Sequence, residues 1–150
     1  MAIYSLHVKT VSRSAGRSVV AAAAYRAAEN IADDRLGVVW DFTRKGGVLH
    51  AEIITPPGAP EWARDRAELW NAAERAEDKS TRRSSAATGR DIILALPHEL
   101  SDAQRLAAVR EFAGALIERY GVAVDFAIHA PDRHSDERNY HAHLLCQGRS

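Results

Sequence analysis

The segment Asn139-Tyr140-His141-Ala142-His143-Leu144-Leu145 constrains this chain more than any other. It reads as a β-strand, and side chains along a strand alternate between faces, so positions i and i+2 point the same way. His141 and His143 then share one face, while Tyr140, Ala142 and Leu144 take the other. Upstream, Val124-Asp125-Phe126-Ala127-Ile128-His129 is a second apolar strand ending in a histidine. The polar stretch Pro131 to Arg138 separates the two in the manner of a hairpin loop. If the strands pair, His129 joins His141 and His143 on one sheet face. Three imidazole nitrogens with open coordination positions suit a catalytic divalent metal better than a closed structural one. The plainer reading is a pair of solvated histidines on an exposed strand face, and these residues alone do not choose between the two.

At 150 residues the chain fits one domain with room for one sizeable core. Acids and bases balance at 20 each, so no global field draws the protein onto nucleic acid. Residues 1–45 nonetheless carry seven bases against four acids, a local net of +3 that the remainder offsets. The single cysteine, Cys146, excludes an internal disulfide and fits a reducing compartment. No secretory signal stands at the N-terminus, and the apolar run Val19 to Tyr25 is too short to span a bilayer. The expectation is a cytoplasmic protein without membrane insertion.

Ala2 to Lys9 alternates as a strand with Tyr4, Leu6 and Val8 on one face. A loop rich in Ser, Gly and Arg follows, and Ser18 opens an alanine-dense helix reaching about Asn30. Leu36 to Phe42 and Val48 to Ile54 read as short strands about a Gly46-Gly47 hairpin-type turn. After Pro56-Pro57-Gly58, a helix from about Glu61 to Asp78 puts Trp62, Leu69, Trp70 and Ala73 on its apolar side. Asp91 to Leu96 is a compact strand stopped by Pro97. Ser101-Asp102-Ala103-Gln104 carries the capping-box pattern and opens an amphipathic helix that Gly121 ends. The order β-α-β-β-α-β-α-β-β favours an α+β domain, a mainly antiparallel sheet covered on one face by helices.

A metal site beside a basic loop raises the question of a nucleophile, and four tyrosines are available. Tyr4 and Tyr120 fall on apolar stripes and read as core. Tyr140 points away from the histidines. Tyr25 lies on the alanine-rich helix, after the loop Ser12-Arg13-Ser14-Ala15-Gly16-Arg17 and beside Arg26. Its small neighbours let that helix approach the sheet closely. From periodicity alone, an ordinary half-buried tyrosine is the better description.

The opening, Met1-Ala2-Ile3-Tyr4 with Lys9-Thr10-Val11-Ser12-Arg13-Ser14-Ala15-Gly16-Arg17-Ser18, resembles that of MobA/MobL-type conjugative relaxases. These include the relaxase portion of agrobacterial and rhizobial plasmid transfer proteins. Four further stretches agree in order and near spacing: Ala23-Ala24-Tyr25-Arg26-Ala27, Leu94 to Leu100, Ala127-Ile128-His129-Ala130-Pro131, and Asn139 to Leu144. The resemblance implies an HUH (His-hydrophobe-His) endonuclease over residues 1–150, cut short at its C-terminal end relative to family members.

By that resemblance Tyr25 attacks the scissile phosphodiester at a plasmid transfer origin, forming a 5′-phosphotyrosyl link and freeing a 3′-hydroxyl. His129, His141 and His143 would hold Mg²⁺ or Mn²⁺ against the phosphate. The chemistry is coherent on its own terms. A tyrosine adduct conserves the broken bond's energy, so rejoining needs no ATP, and neutral ligands leave the cation its full charge as a Lewis acid. The strand leading into Ala95-Leu96-Pro97 often carries two acids in the family. Here Asp91 matches one and Ile93 replaces the other, so Asp91 either orients a ligand, helps activate Tyr25, or simply pairs with Arg90.

Single-stranded transfer-origin DNA is the implied partner, with relaxosome accessory proteins and a type IV secretion coupling protein beyond it. Backbone affinity comes mainly from Lys and Arg. Arg13 and Arg17 lead the candidates, followed by Arg26, Arg44 and Lys45. Trp40 has the chemistry to stack on a base, whereas Trp62 and Trp70 read as core. The competing functional reading is a non-catalytic origin-binding regulator. A rolling-circle initiator is disfavoured because its tyrosine would follow the His-x-His strand.

Overall fold

A computed structural model describes residues 5–13, 18–78, 87–131 and 140–148. In chain order these form β1 (Ser5–Ser12), α1 (Val19–Ala27), β2 (Asn30–Asp33), β3 (Val38–Asp41) and β4 (Val48–Ile54). A 3₁₀ turn (Glu61–Arg64), α2 (Arg66–Glu77), β5 (Ala87–Leu96), α3 (Asp102–Tyr120), β6 (Val124–His129) and β7 (Tyr140–Gln147) complete the fold. Five strands form one sheet in the order β1-β5-β7-β6-β4, with every neighbouring pair antiparallel. The α+β class and the antiparallel sheet agree with the sequence pattern.

Helices cover both faces of the sheet, not one. α3 packs Val109, Ala113 and Ile117 onto Leu94, Phe126 and Leu144. α1 and α2 pack Val19, Ala23, Leu69 and Trp70 onto Val11, Ala123 and Leu145 on the opposite side. The physical reason lies in β6, which is buried at all six positions, so both of its faces need cover.

α1 starts where Ser18 accepts a hydrogen bond from the Ala21 amide at 3.2 Å. It stops at Ala27, short of the expected Asn30, because Ala28 turns left-handed (φ 57°, ψ 49°) and sends the chain into β2. Gly89 on β5 is what lets α1 rest on the sheet. A Cβ there would lie 3.1 Å from a Val19 methyl carbon and 3.0 Å from the Cys146 carbonyl. α2 is fixed by a buried carboxylate: Asp125 accepts two 2.8 Å hydrogen bonds from Arg66 and a third from the Trp70 indole, also 2.8 Å. α3 has the capping box at Ser101 and Gln104 and ends at left-handed Gly121.

Three local expectations change. The Gly46-Gly47 segment is not a hairpin turn, since β3 pairs with β2 in a separate two-stranded ribbon while β4 pairs with buried β6. Trp62 falls on the 3₁₀ turn ahead of α2 and is 45% exposed. Tyr120, on the last turn of α3, is 57% exposed and not core. Tyr4 lies outside the described residues. Trp70 is fully buried, as its periodicity predicts.

Candidate active site

The hairpin pairing of β6 with β7 puts His129 directly opposite His141 and Ala127 opposite His143. Partners across a ladder share a face, so all three imidazoles project toward α1. Each offers a nitrogen within 4.8 Å of the others. Ring centroids lie 5.2 Å apart for His129–His141, 4.9 Å for His129–His143 and 5.2 Å for His141–His143. The reading of His141 and His143 as a solvated pair on an exposed strand face does not hold, since β7 is interior to the sheet and both side chains are partly buried. His129 is 7% exposed.

The rings are oriented by α1 and β5. His129 Nε2 lies 2.9 Å from the Arg26 carbonyl. His143 Nδ1 lies 3.4 Å from Asp91 Oδ1, just beyond a normal hydrogen bond, and neither atom has another hydrogen-bond partner among the described residues. The other Asp91 oxygen takes a 2.7 Å hydrogen bond from the Arg26 guanidinium. Arg90, its chain neighbour, pairs across the sheet with Cys146 on the α3 side, so an Arg90–Asp91 pair is not formed. Burial pushes the Asp91 carboxyl up, but His143 and Arg26 outweigh it and hold it below the usual carboxylate range.

Burial is also the main cause that depresses both inner imidazoles. His129 is pushed down to about 4, with the Lys45, His143 and His141 charges adding to the effect, and His143 is lowered as well. Uncharged imidazoles keep a lone pair for a cation. The donor set, its close spacing and a carboxylate behind one ring fit a divalent metal with vacant coordination positions.

Tyr25 lies in the last turn of α1, 43% exposed. Its ring meets Phe42 edge-on at 5.1 Å between centroids, and Lys45 Nζ lies 4.6 Å from the same ring. Tyr25, Arg26, Lys45 and all three histidines line one cavity of about 680 Å³. Burial and the Arg26 charge lower the Lys45 pKa. Residues from the front and the tail of the chain thus converge on a single cationic pocket.

Arg13 is not available for this purpose. Its side chain is 5% exposed, and the guanidinium is bound to Glu74 on α2 at 3.2 Å and to Asp78 at the C-terminal cap of α2 at 2.9 Å, which makes it an internal clamp. Arg17 lies outside the described residues, as does His134. Arg26 does reach the cavity, although part of its charge is committed to Asp91. His50 and His98 sit away from the cluster, beside Glu52 and Glu99. Sequence reasoning missed the Arg26 carbonyl and Phe42. A backbone acceptor leaves no residue-type signal, while Phe42 was hidden by assignment to a strand.

Fold and site together define an antiparallel sheet that offers a three-histidine cluster to a tyrosine-bearing helix. The MobA/MobL family profile matches residues 17–150, and the chain belongs to the MobA/MobL family. It is similar to the mobilization protein MobL of Acidithiobacillus ferridurans, 45% identical over 97% of this chain and 42% of that one. It is also similar to the conjugal transfer protein TraA of Rhizobium radiobacter, 37% identical over 97% of this chain and 13% of that one. The chain therefore spans less than half the length of these relatives. The solved structure described as "Molecular Basis of Vancomycin Resistance Transfer in Staphylococcus aureus" superposes with a TM-score of 0.86 at 32% identity, covering 99% of this chain and 72% of that one. Among the described residues no helix is long and apolar enough to cross a membrane.

Proposed function

We propose that this chain nicks and rejoins one strand of plasmid transfer-origin DNA, initiating conjugative transfer or mobilisation. The observation that carries this reading is the shared cavity, in which Tyr25 faces the same space as His129, His141 and His143. The Tyr25 oxygen forms a bond to the scissile phosphorus as the bond to the 3′-oxygen breaks. The products are a 5′-phosphotyrosyl strand and a free 3′-hydroxyl, with the phenolic proton ending on that hydroxyl. Reversal restores the phosphodiester without external energy.

His129, His141 and His143 are the ligands for Mg²⁺ or Mn²⁺, which when bound neutralises charge building on the phosphate. Arg26 and Lys45 supply further positive charge along the path of the backbone. Asp91 acts as a positioning residue, holding His143 from behind. Relaxosome accessory proteins and a type IV secretion coupling protein are the partners this role calls for, and the cytoplasm is where it operates.

The test is a denaturing gel of the protein mixed with labelled single-stranded origin DNA and Mn²⁺. A covalent adduct that disappears in Tyr25→Phe supports the reading. DNA binding with no adduct under any divalent cation would reassign the chain as an origin-binding regulator.

A further inference from the structure

A second cavity, of about 420 Å³, runs along α1 beside the β1 margin of the sheet and shares Tyr25 and Arg26 with the first. Ser18, Ala21, Ala22 and Tyr25 follow the i, i+3, i+4, i+7 spacing, so they form one stripe along the helix. The buried positions Val19, Val20, Ala23 and Ala24 form the opposite stripe, facing the sheet. The outer stripe is low because its middle residues are alanines, which leaves a trench running along α1 to the tyrosine.

The trench walls differ in chemistry. Trp40 near the end of β3 and Phe42 just beyond it contribute aromatic lining. The indole is pinned, since its Nε1 donates to Asp33 at 3.0 Å, and Phe42 is braced edge-on against Tyr25. Lys9 on β1, directly across the ladder from Asp91, and Arg26 contribute cationic lining to the same cavity. Lys9 is exposed and has no ion-pair partner among the described residues, and the buried Arg26 Nε has no acceptor. Rigid aromatic surface and cationic surface in one cavity are the pairing that a single nucleotide satisfies, base on the first and phosphate on the second. The volume falls within the range of small-ligand sites.

We propose that this trench binds the nucleotide adjoining the scissile phosphate, with its base against Trp40 and Phe42 and its backbone toward Lys9 and Arg26. The proposal rests on the nicking role above. It gives the enzyme a way to seat the strand in register, because the nucleotide beside the reacting bond is held within reach of the same tyrosine. Stacking tolerates any base, so the trench contributes position more than sequence choice.

The experiment measures binding by fluorescence anisotropy in EDTA, so neither metal nor cutting is needed. The probes are a labelled twelve-nucleotide oligothymidylate and a twelve-unit abasic strand of the same charge. The expected result is tighter binding of the thymidylate by about 5- to 140-fold, the range that stacking of one base provides. Trp40→Leu and the trench-filling Ala22→Phe should each close that gap while leaving the abasic strand's affinity within about twofold. Circular dichroism checks that each variant is folded. Should the loss of the Asp33 contact unfold Trp40→Leu, Ala22→Phe decides alone. Equal binding of the two probes by the unmodified protein, or a gap that survives the folded variants, overturns the trench proposal. The adduct gel separates this from the catalytic reading: an adduct with no base dependence removes the trench and keeps the nicking, and base dependence with no adduct does the reverse.

Discussion

His129 Nε2 donates a hydrogen bond to the backbone carbonyl of Arg26, joining the end of β6 to the final turn of α1. A carbonyl can only accept, so the ring proton resides on Nε2 and Nδ1 keeps the lone pair for a cation. The acceptor belongs to the residue directly after Tyr25. The distance between the tyrosine-bearing helix and the histidine-bearing strand is therefore fixed by main chain, which substitution at position 26 leaves in place.

That separation of roles makes Arg26→Ala informative. The carbonyl contact persists, while Asp91, 3% exposed, loses the guanidinium 2.7 Å away. Breaking a buried pair from one side costs about 3 kcal/mol, which urea unfolding will register. Mn²⁺ affinity should weaken roughly 10- to 100-fold by calorimetry, because the residue orienting His143 is no longer held. An unchanged Mn²⁺ affinity would show that Asp91 does not position the ligand.

His141→Ala separates metal binding from folding. The side chain is only partly buried, so unfolding without metal should shift by less than about 1 kcal/mol. Mn²⁺ at 100 times its dissociation constant should stabilise the unmodified protein by about 2.7 kcal/mol and the variant not at all. Chelation should return the unmodified protein to the variant's behaviour. If both proteins gain equally from Mn²⁺, the ion binds elsewhere.

Arg13→Ala tests the reassignment of that residue from DNA contact to clamp. Glu74 is 1% exposed and, among the described residues, would keep only Arg35 as an ion-pair partner, at 3.0 Å. A loss of about 3 kcal/mol in stability is expected. The salt dependence of single-strand binding should keep its slope, whereas removal of a true phosphate contact would lower it by about 0.7.

Asp33 gives the fold an acid limit. Burial pushes its carboxyl up, but hydrogen bonds from Ser18, Trp40 and the Leu36 amide, with the Arg35 charge, hold the folded value below the ordinary one. A depressed folded value means the stabilisation is complete above the unfolded value, about 3.9, and is lost as pH falls through the folded one. Asp33→Asn should therefore lower the thermal midpoint most at neutral pH, with the difference shrinking below about pH 4. Ser18 also caps α1, so Ser18→Ala should cost about 1 kcal/mol and share part of this acid sensitivity. A pH-independent difference between the unmodified protein and Asp33→Asn would contradict the assignment.

Features written in neighbouring residues were the legible ones. The two-residue repeat of His141 and His143 gave their common face, and the Ser101–Gln104 box with Gly121 gave both ends of α3. Pairings between distant segments were not legible. Nothing near Val48 says that β4 joins β6 instead of β3, because the choice is made by the buried β6 that needs a partner. Arg13 meets Glu74 across 61 positions, so its loop context suggested a free cation where the fold places a clamp. Tyr120 continues an apolar period, yet it stands on the last turn of α3 and stays exposed. Periodicity reports which face a residue occupies, and not whether anything lies opposite.

The histidine-bearing strands are both interior to the sheet: β7 lies between β5 and β6, and β6 lies between β7 and β4. Breathing at a sheet margin releases β1 or β4 first, which leaves β7 bonded on both sides and β6 still bonded to β7. Hydrogen exchange along β7 will thus be governed by opening of the whole molecule, and a cation held between His141, His143 and His129 would act as a rivet through the centre of the fold.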